Sequence, residues 1–131
     1  MIVLDTAPWI WWVADPLRLS ARARRAVRKE EEAGGLVVSA VSVWEVAWKH
    51  RLGKLEFDRD IRSWVALARA YRGVRIAPLE PDDALESAFL PEPFHRDPAD
   101  RFVVALAKRL GCPLLTSDRR ILDYEHVETI W

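Results

Sequence analysis

Four acidic residues, Asp5, Glu45, Asp100 and Asp118, stand where a carboxylate is either unexpected or unusually well placed. Asp5 follows Ile2, Val3 and Leu4, and Asp118 closes PLLTSD after Leu114 and Leu115, so each ends a short apolar strand. An Asp at such a position is also a common turn former or helix cap, and either residue alone leaves that reading open. Glu45 lies in VSVWEVAWKHRLG, where Val41, Trp44, Trp48 and Leu52 follow the three- and four-residue spacing of a buried stripe. At 100° per residue Glu45 falls within about 40° of the centre of that stripe. A glutamate is almost never fully buried without a partner, so this one calls for an internal salt bridge or a bound ligand.

The segment HRDPADRFVVALAKRLG (95–111) holds two more carboxylates three residues apart. Asp97-Pro98 reads as a helix start, with Asp as N-cap and Pro in the first turn. Asp100 then sits at the third helical position, where a carboxylate also suits the helix dipole. Val103, Val104 and Ala107 follow it by three, four and seven residues, so Asp100 shares their inward face. Asp97 caps the helix, and Asp100 points at the end of the sheet.

Like charges gathered in a half-buried cleft repel, and without compensation some stay protonated. A hard divalent cation removes the conflict. Mg²⁺ and Mn²⁺ prefer oxygen ligands and retain several waters, which leaves room for a phosphate and a nucleophile. His50, His95 and His126 have no spacing that suggests zinc.

These residues need elements that bring them to one edge. MIVLD (1–5) reads as a short buried strand, with the helix-starting Pro8 soon after. LVVSA (36–40) reads as a second strand, VRIAPL (74–79) as a third and PLLTSD (113–118) as a fourth, with HVETIW (126–131) an edge strand. Helices are expected over 20–35, 41–53, 60–73, 81–90 and from Pro98 to Gly111, most of them ending at glycine. The strands alternate with helices and are apolar throughout. That pattern predicts a three-layer α/β/α sandwich around a mostly parallel sheet. Such sheets bind ligands outside the carboxyl ends of their strands, where Asp5 and Asp118 fall.

The composition agrees. The chain has 131 residues, half of them hydrophobic, which suits one domain over 1–131 with a core that needs no staple. One cysteine permits no internal disulfide. The apolar opening is interrupted by Asp5 and lacks a basic lead, so no signal peptide or membrane span is expected and the location is read as cytoplasmic. With 20 basic against 20 acidic residues, no global field announces a nucleic acid, although 16 of the basic residues are Arg. Seven tryptophans are many for this length; most are expected in the core.

The chain resembles PIN-domain ribonucleases, specifically the VapC-type toxins of bacterial toxin–antitoxin pairs. The likeness runs nearly end to end, through VLDTAPWIWW (3–12), RLSARAR (18–24), SAVSVWEVAWKHRLGKL (39–55), HRDPADRFVVALA (95–107), LLTSD (114–118) and the terminal VETIW. The family's acidic site falls on Asp5, Glu45, Asp100 and Asp118, with Thr6 and Asp97 in support. Relatives often carry His after the Asp-Thr pair, where this chain has Ala7-Pro8.

The resemblance implies hydrolysis of RNA phosphodiester bonds with one or two Mg²⁺ or Mn²⁺ ions and an activated water, leaving 5′-phosphate and 3′-hydroxyl ends. Arg96, Arg101, Arg119 and Arg120 flank two of the acids and are candidates for phosphate contact. It also implies a homodimer and a small VapB-like antitoxin wrapped over apolar surface, with Trp9, Trp12, Trp44 or Trp48 lining its groove. The alternative is a non-catalytic binding module that regulates transcription through the antitoxin complex. Three other readings fail on single positions. A kinase catalytic loop needs Asn where Phe102 stands, a haloacid-dehalogenase-like phosphatase needs Asp where Ala7 stands, and a Rossmann turn needs glycines that DTAPWI lacks.

Overall fold

The computed structural model describes residues 1–131. The chain runs β1 (Ile2–Leu4), α1 (Thr6–Ala14), a 3₁₀ turn (Pro16–Arg18), α2 (Ala21–Ala33), β2 (Leu36–Ser39), α3 (Ala40–Arg51), α4 (Ile61–Arg69), β3 (Val74–Ala77), α5 (Pro81–Ala88), α6 (Pro98–Leu110), β4 (Leu114–Leu115), α7 (Arg119–Leu122) and β5 (Thr129–Ile130). The strands form one sheet in the order β3-β2-β1-β4-β5, with every pairing parallel. The expected sandwich is therefore present, with β5 at an edge.

Alternation along the strands divides the core in two. Ile2 and Leu4 of β1 join Leu36, Val38 and Leu115 on one face, beneath Trp9, Trp12, Val27, Val46 and Trp64 from α1 to α4. Val3, Val37 and Leu114 point the other way, against Val103, Val104, Leu106 and Ala107 of α6 and Ile121 of α7. Both faces are buried, which is why the strands carry no polar alternation. Each fully buried aliphatic side chain contributes about 1.5–3 kcal/mol of transfer free energy.

Successive strands β1, β2 and β3 step outward in one direction. The chain then crosses back and lays β4 on the opposite side of β1. The point where strand order reverses is therefore the gap between the carboxyl ends of β1 and β4. Asp5 and Thr116 stand there.

Several boundaries differ from expectation for local reasons. The strand expected over 113–118 pairs only at Leu114–Leu115, because Thr116 and Asp118 bond to each other and Asp118 starts α7. The third strand ends at Ala77, before Pro78, which has no N–H for the ladder. Helix α1 begins at Thr6, capped by Asp5, and Pro8 falls among the first four positions, whose N–H groups need no helical partner.

The stripe on α3 is the larger correction. Trp44, Trp48 and Leu52 are 57%, 44% and 50% exposed, while Ser42 and Val46 make the buried face. Helical spacing found a continuous apolar face but not its direction. Of the seven tryptophans, only Trp9, Trp12 and Trp64 are buried.

Candidate active site

Asp5, Asp100 and Asp118 stand at the N-terminal ends of α1, α6 and α7 near the switch point, and Glu45 comes from the middle of α3. Asp5 leaves β1 as the N-cap of α1. Its Oδ1 accepts from the Thr6 backbone N–H at 2.8 Å and its Oδ2 accepts from the Thr116 hydroxyl at 2.7 Å. Burial pushes the Asp5 carboxyl up to about 6 against those two hydrogen bonds, and the negative charges of Asp100 and Glu45 push the same way.

Thr116 is fully buried, and its oxygen also accepts from the Asp118 N–H at 3.1 Å. This hydroxyl joins the first acid to the last, across the whole length of the chain. Asp118 caps α7 through the Arg120 N–H at 2.9 Å. The Arg120 guanidinium grips the same carboxylate, with Nε 3.3 Å from Oδ1 and one terminal nitrogen 3.0 Å from Oδ2. That grip holds the Asp118 carboxyl below the usual range.

Asp100 occupies the third position of α6, its side chain 13% exposed and on the face of Val103 and Val104 as expected. Its Oδ2 lies 2.5 Å from His95 Nε2 and 3.5 Å from the Arg120 guanidinium. Burial raises its carboxyl, opposed by the His95 hydrogen bond and helped by Asp97 and Asp118. Glu45 projects from α3 within the field of Asp5 and pairs loosely with Lys49, 3.8 Å away on the next turn.

Asp97 caps α6 by accepting from the Ala99 N–H at 3.0 Å and the Asp100 N–H at 3.4 Å. Thr6 supports Asp5 through its main chain. The Thr6 hydroxyl donates instead to Ser42 Oγ at 2.9 Å and ties α1 to α3 one turn before Glu45.

The arginines separate. Arg96 is exposed, and Arg119 is exposed with only a 3.8 Å pairing to Asp123. Arg101 is not available to phosphate: its side chain is 12% exposed and donates to the carbonyls of Ser87 (2.8 Å), His95 (3.1 Å) and Phe94 (3.4 Å). Trp9 and Trp12 are core residues and line no groove, whereas Trp44 and Trp48 stack on the surface with centroids 6.1 Å apart.

Two participants were absent from the sequence reading. Thr116 reads as one more strand residue, and His95 has no ligand spacing; its position five residues before Asp100 was the only signal.

The donors are carboxylate and hydroxyl oxygens, a set that suits Mg²⁺ or Mn²⁺ and disfavours softer ions. Mutual repulsion among Asp5, Glu45 and Asp100, and a guanidinium already drawn between Asp100 and Asp118, show a site that attracts positive charge. The acids stand as neighbouring pairs: no three His, Cys, Asp or Glu side chains converge on one coordination point. A surface cavity of about 540 Å³ lies elsewhere, between α5 and α6 beside the ion pair of Asp83 and Arg109. Its acids Asp82, Asp83 and Glu86 face the cations Lys108 and Arg109, and we assign the chemistry to the switch point.

An all-parallel sheet with acids at its central carboxyl edge defines an α/β domain built to bind a ligand there, and comparison with known proteins gives its family. The PIN domain family model matches residues 2–127. Ribonuclease VapC22 of Mycobacterium tuberculosis is 35% identical over 132 aligned residues, covering 99% of this chain and 98% of that protein. The chain therefore belongs to the PIN-domain family, among its VapC-type members.

Solved structures share the fold at lower identity. They include VapBC2 from Rickettsia felis bound to a DNA fragment from its promoter (TM-score 0.72, 10% identity, 98% and 97% of the two chains covered). Another is FitAcB from Neisseria gonorrhoeae (TM-score 0.62, 23% identity, 98% and 96% covered). No helix is long and apolar enough to cross a membrane.

Proposed function

We propose that this chain is a metal-dependent endoribonuclease, the cytoplasmic toxin of a toxin–antitoxin pair, and that Asp5, Glu45, Asp100 and Asp118 hold its Mg²⁺ or Mn²⁺. What supports the reading is electrostatic adjacency: Asp5 lies within the field of Asp100 and Glu45, and Asp100 within that of Asp118, beside the carboxyl edge where β1 and β4 pair. The likeness to a protein named as a ribonuclease supplies the substrate class, and the VapBC and FitAB neighbours supply the kind of partner.

A bound divalent ion supplies Lewis acidity to water and phosphate and offsets the charge that builds on the leaving oxygen. The protein's share is positioning. Thr116 and the Thr6 N–H fix both oxygens of Asp5, so its carboxylate cannot rotate away. The Thr6–Ser42 bond sets α3, and with it Glu45, against α1. His95 Nε2 orients Asp100 Oδ2. Exposed Arg96 and Arg119 offer positive charge for the RNA backbone. Homodimer formation belongs to the same reading, with Leu85 of α5 and Phe89 at its C-terminal cap, 57% and 75% exposed, as the apolar surface it would cover.

The test is cleavage of RNA by the purified chain with Mg²⁺ or Mn²⁺, with excess chelator, and with Asp5→Asn. Chelator is expected to abolish cleavage and the substitution to slow it by a factor of about 10³. Undiminished cleavage in both cases would remove the site, and a folded protein that cuts no RNA with either ion would favour the regulatory module.

A further inference from the structure

Arg120 holds a position that no phosphate-contact role explains. Its backbone N–H and its guanidinium both bond Asp118, and one terminal nitrogen also reaches Asp100 Oδ2 at 3.5 Å. The two carboxylates come from different helices and are largely covered, with side chains 13% and 28% exposed, whereas the Arg120 side chain is 59% exposed. One exposed, fork-shaped cation thus spans two largely covered acids from the solvent side.

A divalent ion held by Asp100 and Asp118 would meet Arg120, whose guanidinium occupies both oxygens of Asp118 and lies beside Oδ2 of Asp100. An ion beside these carboxylates would repel the guanidinium and compete with it for them. The guanidinium therefore has to leave at least one acid when the ion arrives. It can leave without unravelling α7, since the bond from the Arg120 backbone to Asp118 Oδ1 is independent of the side chain. A shallow cavity of about 320 Å³ beside it, lined by His95, Asp123 and Tyr124 among others, gives the side chain somewhere to swing.

Resting on the acid-site reading above, we propose that Arg120 is a displaceable counter-cation, holding Asp100 and Asp118 until a divalent ion takes them and then engaging a phosphate of the RNA. It is a positioning residue, not a catalytic one. It neutralises the acids before loading, and its release couples metal binding to substrate binding. Arg120 competes with the ion and cooperates with the RNA, so one substitution should move the two affinities in opposite directions.

Calorimetric titration of the full chain with Mn²⁺, for wild type, Arg120→Ala, Arg120→Lys and Asp100→Asn, tests the first half. Removing an exposed ion pair of this kind is expected to tighten Mn²⁺ binding about three- to tenfold in Arg120→Ala. Arg120→Lys, with the charge but without the fork, is expected to fall between, and Asp100→Asn to weaken binding. For the second half, RNA affinity at saturating Mn²⁺ is measured against salt. Arg120→Ala is expected to raise KM more than it lowers kcat and to flatten the salt slope by about 0.7, one phosphate contact on a single strand. Arg120→Lys is expected to restore most of that slope.

Equal or weaker Mn²⁺ binding by Arg120→Ala overturns the counter-cation while leaving the acid site standing, provided Asp100→Asn still weakens it. An unchanged salt slope overturns the transfer to phosphate. Mn²⁺ binding that is absent throughout, or indifferent to Asp100→Asn, overturns the acid site and the counter-cation together.

Discussion

Burial pushes the Asp5 carboxyl up to about 6, even though Thr116 and Thr6 both donate to it. Between the ordinary value of 3.8 and that figure, the native chain keeps a proton that the unfolded chain has released. The contribution of Asp5 to stability therefore falls as pH rises through that window, and above it the buried charge costs on the order of 3 kcal/mol. Asp5→Asn is thus expected to stabilise the fold by about 1–3 kcal/mol at pH 7.5, in chelator, while destroying activity. At pH 4 the gain should nearly vanish. Urea unfolding at the two pH values measures it, and an equal gain at both would show that charge is not the cause. Asp5 and Asp118 were legible because a strand must end somewhere and a carboxylate there is visible in a list of letters. Thr116 was not, since its role comes only from the pairing of β1 with β4, which sets its hydroxyl against a residue 111 positions earlier.

Elements, and the joints between them, decide whether these residues meet. Alternating apolar strands and helices were readable, and so were the ends of α2 and α6, where Gly34 and Gly111 take left-handed conformations with φ of 72° and 62°. The direction of α3 was not readable. A period of 3.6 shows that Trp44, Trp48 and Leu52 share a face, but Ser42 and Val46 turned out to be the pair small enough to lie against the sheet layer. The joint between α5, α6 and the segment carrying His95 depends on Arg101, whose guanidinium satisfies carbonyls of Ser87, Phe94 and His95. Arg101→Ala leaves those carbonyls without their charged donor and is expected to cost about 2–3 kcal/mol. Denaturant midpoints measure that loss, while RNA affinity, taken where the variant is fully folded, should change less than twofold. Weaker RNA binding at undiminished stability would return Arg101 to the substrate.

At the scale of the whole molecule, zero net charge provides no long-range field to gather a partner, so recognition must rest on local surface. The most distinctive local surface is on α3. Trp44 and Trp48 stack at an interplanar angle of 10°, the Arg51 guanidinium lies 5.8 Å from the Trp48 ring, and Leu52 extends the apolar strip. Exposed aromatic clusters flanked by arginine are typical energetic centres of protein interfaces, since tryptophan covers much surface with only two torsions to freeze and arginine stacks on it as a flat cation. The strip is expected to lie under the antitoxin. Neither indole belongs to a core cluster, so Trp44→Ala and Trp48→Ala should fold normally. Each is expected to weaken antitoxin binding by about 2 kcal/mol, roughly thirtyfold in Kd. Tryptophan emission supplies an independent readout: covering two solvated indoles shifts it to the blue in the wild type, and the shift should shrink in each variant. Binding unchanged within twofold in both variants would place the antitoxin on another face and leave this strip to a different partner.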